Sequence, residues 1–141
     1  MTRRSTAKVA ALAAALVAAW NVTMAEQRAL AEASCGNGSP PVSRNVAAGF
    51  ARLYRDWHRE SEQIKFSSNT GDYVALPAYR AIVELGPAVL PFLATKLAQD
   101  QDSDFMLARA VVEICHWDSQ AFAGPSEQAF RDKVLRKLNG G

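Results

Sequence analysis

From residue 44 onward, the apolar residues of this chain return every three or four positions, and Gly, Pro or small polar clusters close each run. That is the period of an amphipathic helix, and it leaves an all-α fold as the expected class. Residues 44–65 carry Val46, Phe50, Leu53, Tyr54, Trp57 and Ile64 on one stripe. Arg52, Arg55, Asp56, Arg59, Glu60 and Glu62 lie opposite, and Ser43 stands where a helix cap belongs. Residues 66–76 are polar with one Gly and read as a loop, with a strand-like touch at Tyr73-Val74. Pro77 suits the first turn of a helix over 78–85, which Gly86-Pro87 ends. Further helices are expected over 88–98, 104–116 and 126–138, separated by a polar turn at 100–103 and a loop at 117–125. Each helix has one apolar stripe, so the stripes must be buried against one another in a compact stack of about five helices.

The N-terminus has a different pattern. Arg3, Arg4 and Lys8 precede Val9 to Trp20, twelve residues without a charge, and small residues follow. A positive start, a short apolar run and a small-x-small exit make the pattern of a secretory signal peptide. Cleavage is expected after Ala25, with Ala31 and Ala33 as the alternatives. An internal helix fits poorly because the run has no polar face. A membrane anchor also fits poorly, because the run is short and contains Asn21 and Thr23. The chain therefore divides into a signal at 1–25, a flexible linker at 26–43, whose residues 34–43 are rich in Gly, Pro, Ser and Asn, and a helical domain at 44–139. The location this implies is secreted or periplasmic, with no stable membrane anchor after cleavage.

This pattern changes how the charge is read. The formal charge is +2, but Arg3, Arg4 and Lys8 supply three of the 16 basic residues. Setting them aside leaves 13 basic against 14 acidic residues, a net charge of about −1. A nucleic-acid binder needs a surplus of Lys and Arg to displace counterions, so a nucleic-acid partner is not expected. Hydrophobic residues make up 49% and charged residues 21%, the composition of a globular chain.

The segment Tyr79-Arg80-Ala81-Ile82-Val83-Glu84-Leu85-Gly86-Pro87-Ala88-Val89-Leu90-Pro91-Phe92-Leu93 resembles a HEAT-like, armadillo-type helical hairpin. One helix ends in Leu-Gly, and the next has a Pro in its first turn. More narrowly, Trp57, Ser67 and Ser68, Pro77-Ala78-Tyr79, Leu85-Gly86 and Leu90-Pro91 together resemble a family of small uncharacterised bacterial proteins. Leu76 stands where that family usually has His. The resemblance implies a helical fold and, by fold analogy, a protein-binding surface; it carries no activity.

Few residue patterns suggest chemistry. Cys115 and His116 are adjacent, so on a helix their side chains point about 100° apart and cannot form a dyad. Cys35 and Cys115, the two cysteines, can form one bridge in an oxidising compartment if the fold brings them together. His58 and Glu62 share a helix face, but two ligands do not make a metal site. Asp100, Asp102 and Asp104 echo a calcium loop, but Phe105 and Val111 stand where that loop needs Gly and Glu. Glu60 and Glu62 point to different sides, and neither a phosphate loop nor a zinc pattern is present. No metal or cofactor is expected. Trp57, Tyr79, Phe105 and Phe130 are expected in the core. Tyr73 and Trp117, aromatics in polar loops, are the expected contact patch.

The leading expectation is an exported, non-catalytic module that binds a protein partner. One alternative is a small hydrolase or ligand-binding protein, with a pocket between helix 44–65 and loop 66–76 lined by His58, Glu62, Ser67 and Ser68. The other is a cytoplasmic regulator, if the N-terminus is not a signal.

Overall fold

The computed structural model describes Cys35 and residues 43–99 and 106–140, all within one unit, Ala31–Gly141. The expected signal at 1–25, most of the linker, the turn at 100–103, Asp104 and Phe105 lie outside the described residues. Among the described residues every regular element is helical.

Helix α1, Arg44–Gln63, begins where Ser43 accepts the Val46 N–H at 3.2 Å. Its inward side buries Phe50, Trp57 and Ser61. Polar residues then build a second helix where the sequence suggests a loop with a strand-like touch. Asn69 accepts the Gly71 N–H at 3.0 Å, and α2 runs over Thr70–Val74 with Asp72 in its first turn. Asn69 also donates to Asp72 at 3.1 Å, and the Ser67 hydroxyl donates to the same carboxylate. The short polar side chains thus satisfy a helix N-terminus, and the segment is ordered by its caps. Among the described residues the count is therefore six α-helices, and the additional one is α2.

Helix α3, Pro77–Glu84, has no side-chain cap from its own N-cap residue, Leu76. Glu60 of α1 takes that role, accepting the Ala78 N–H at 3.0 Å. Gly86 ends the run at φ +69, the left-handed conformation that a Cβ disfavours. The next segment starts as a 3-10 turn, Gly86–Val89, and becomes α4 only at Leu90–Ala98. Pro91 explains the delay. It has no N–H to give the Pro87 carbonyl and its ring crowds that oxygen, so Leu90 donates to it instead.

Helix α5, Leu107–Ile114, packs against α3, α4 and α6. Six of its eight residues are buried, and Arg109 and Glu113 are the exceptions. A 3-10 turn, Ser119–Phe122, follows, capped by Asp118. Ser126 then accepts the Ala129 N–H at 3.1 Å and opens α6, Glu127–Leu138, which buries Phe130 and Val134. Trp57, Tyr79 and Phe130 lie in the core as expected. No helix among the described residues is long and apolar enough to cross a membrane.

Candidate functional site

Cys35 and Cys115 are joined by a disulfide, with their Cα atoms 5.8 Å apart. Both are buried, at 2% and 0% exposure, so Cys35, which precedes α1 in the chain, is tied to the end of α5. Cys115 is the last helical-region residue there, and His116 beyond it turns left-handed at φ 52. The His116 N–H goes to the Glu113 carbonyl at 3.2 Å and the Trp117 N–H to the Val112 carbonyl at 3.0 Å. That crossed pair is a Schellman closure with His where Gly is usual. Cys115 and His116 thus serve as a bridge and a cap.

The two polar residues of α5 tie it to its neighbours. Glu113 accepts the buried Tyr79 hydroxyl at 3.0 Å and pairs with Arg80 at 3.3 Å. Burial pushes the Tyr79 phenol well above its ordinary value, and the Glu113 charge and hydrogen bond push it further. Arg109 pairs with Glu127 of α6 at 2.6 Å, and its guanidinium lies 4.9 Å from the Phe130 ring centroid. Arg109 Nε and Glu127 Oε2 are buried and unpartnered. The pair is one step off the side-on bidentate arrangement, in which those two atoms would meet.

Above this ion pair lies an open cleft of about 520 Å³. Ser68, Thr70, Ser119, Gln120 and Ser126 line it together with Arg109 and Glu127. It offers hydroxyls and an amide around a neutralised charge pair, suited to a small polar molecule. Ser68 is the one residue of the expected His58, Glu62, Ser67 and Ser68 pocket that lines it. The other three are engaged apart from it. The His58 ring meets Tyr54 and Trp57 edge-on, Glu62 pairs with Lys65 at 3.0 Å, and Ser67 serves the cap of α2.

The two aromatics expected as a contact patch are both half-buried. The Tyr73 hydroxyl donates to the Ile64 carbonyl at 3.2 Å, which staples α2 to the end of α1. Trp117 stacks on Phe122 at 5.4 Å, and the Lys137 amine sits 4.7 Å from its ring centroid. Among the described residues the exposed aromatic is Phe66, which is 93% accessible just beyond α1. Its signal in the sequence is slight, a lone Phe opening a polar segment. Among the described residues no three His, Cys, Asp or Glu side chains gather as a metal site. Comparison with protein-family models, with curated proteins and with solved structures finds no match to this chain.

Proposed function

We propose that this chain is exported to the periplasm or medium and works there as a disulfide-tied, non-catalytic helical module that binds a protein partner. The observation that carries the reading is the Cys35–Cys115 bridge, taken together with the N-terminal sequence. Bridges persist where the compartment is oxidising, and the positive start, apolar run and small exit residues address the chain to such a compartment. Cleavage after Ala25 would leave Cys35 on the mature side. The two charges of α5 are committed to its neighbours, Arg109 to Glu127 and Glu113 to Tyr79 and Arg80, which favours binding over catalysis there.

A HEAT-like relation between α3 and α4 is part of the reading. Its support is the left-handed Gly86 closing α3 and the Pro in the first turn of α4. The chain direction changes by 106° across that break, so the hairpin is an opened one. Phe66 is the first candidate for a protein contact, since an exposed aromatic gains most from being covered.

The deciding experiment fuses residues 1–40 to a reporter active only after export. Activity is expected, and removal of Val9 to Trp20 abolishes it; a silent fusion ends the export reading. Pull-down from the periplasm or medium, with Phe66→Asp as the control that loses the partner, tests binding. The ligand-binding alternative has the cleft in its favour. It predicts amide chemical-shift changes at Ser68, Thr70 and Gln120 when small polyols or amides are titrated in, and silence at those amides removes it.

A further inference from the structure

The core-facing side of α1 is centred on Phe50, Trp57 and Ser61. At about 100° per residue, Arg44, Arg52, Arg55 and Arg59 fall within a sector of about 80° on the opposite side. All four are exposed, and they run along roughly 22 Å of helix. Ala48 and Ala51 are exposed between them, small enough for a flat surface to approach the backbone. Arg59 is paired with Asp56 at 2.7 Å, whereas Arg44, Arg52 and Arg55 have no ion pair among the described residues. The acid on that face, Glu62, is taken by Lys65.

We infer that this arginine face is a docking surface for anionic phospholipid headgroups. The chemistry matches, because guanidinium binds phosphate through two parallel hydrogen bonds and is more weakly hydrated than an ammonium. Phe66, 93% exposed just past the end of the same helix, favours a lipid interface over a nucleic acid. An apolar ring gains from leaving water there, whereas the arginine row has no exposed aromatics interleaved for bases to stack on. With a net charge of about −1 outside the N-terminal arginines and lysine, the attraction is local to this face. The inference goes beyond the export reading and does not rest on it, since the cytoplasmic leaflet is anionic too.

The test is sedimentation of the full chain with phosphatidylcholine vesicles, with and without phosphatidylglycerol, at low and physiological salt. The N-terminal segment contributes equally to every variant, so the comparison isolates α1. Each arginine near an anionic surface is worth roughly a five-fold gain in partition. Arg52→Gln/Arg55→Gln therefore lowers the phosphatidylglycerol-dependent partition by roughly 25-fold, and added salt lowers the wild type toward it. Arg136→Gln/Lys137→Gln, an equal loss of charge on α6, changes it by less than about two-fold. The inference is overturned if phosphatidylglycerol does not raise wild-type binding or if the two double variants lose equally. Stronger capture by duplex DNA or polyglutamate than by vesicles at the same salt also overturns it.

Discussion

Replacing Cys35 by Ser opens a loop closed across 80 residues, which spans nearly all the described helices. In the chain-entropy account a cross-link of that span removes about 4.5 kcal/mol of freedom from the unfolded chain. Cys35 is the better of the two cysteines to change. Its loss leaves Cys115, the fully buried partner, as a small thiol in the core, and Ser is close to Cys in size, so the lost closure is the main change. A domain of this size is stable by about 5–15 kcal/mol, so the variant stays folded but loses a large part of its margin. With a urea slope near 1.5 kcal/mol per molar, the midpoint falls by about 3 M, followed by circular dichroism. The wild type refolded in reductant should fall with it; reductant added to the native state acts slowly, because both sulfurs are covered. A midpoint shift under about 0.7 M would refute the reasoning, since the bridge would then leave the unfolded ensemble unconstrained. Two free thiols in the denatured, unreduced protein would refute it more directly.

Tyr79→Phe removes the hydroxyl bond to Glu113 and costs about 1–2 kcal/mol by denaturant titration. Because the folded protein holds the Tyr79 proton above the ordinary phenol range, the unfolded chain ionises first. Stability is complete below about pH 10 and falls as pH rises beyond it, and Tyr79→Phe flattens that decline. Glu60→Ala leaves the Ala78 N–H of α3 uncapped and costs about 1 kcal/mol. Gly86→Ala meets no side chain or backbone within 4 Å, so its cost of about 1 kcal/mol is purely conformational. His116→Gly, at the left-handed position that carries a side chain among the described residues, should be neutral or slightly stabilising in the same melts.

What the sequence made legible was local. Ser43, Pro77, Gly86 and Ser126 announce helix ends through chemistry confined to a few neighbours, and all four stand at such ends. Helix α2 was legible only in part. Asn69 three residues before Asp72 is a cap signature, but five residues are too few to show a helical stripe, and Tyr73-Val74 look like strand. The late start of α4 follows from Pro91 once the Pro87 carbonyl is considered. The candidate-site residues were harder, because their partners are distant in sequence. Glu60 caps a helix eighteen residues on, and Tyr79 reaches Glu113 across thirty-four. His116 gave no signal, since nothing local distinguishes a left-handed His from any other.

The distribution of committed charge decides where recognition can occur. Helix α5 is the hub, buried except for Arg109 and Glu113, four residues apart on one face. Each is already used, Arg109 for α6 and Glu113 for α3, and the helix ends in a bridged cysteine. A polar ligand at α5 would have to displace an ion pair or a buried phenol's bond, and an apolar one would have to displace close-packed core. Recognition is therefore pushed to the periphery: the rim of the cleft by α2, Phe66, and the outer face of α1. At the cleft the central charges neutralise each other, which favours small neutral ligands. On α1 three arginines keep their charge unspent, so that face can draw an anionic surface from solution. Salt should weaken what α1 holds and leave binding at the cleft nearly unchanged, so ionic strength separates the two surfaces before any residue is altered.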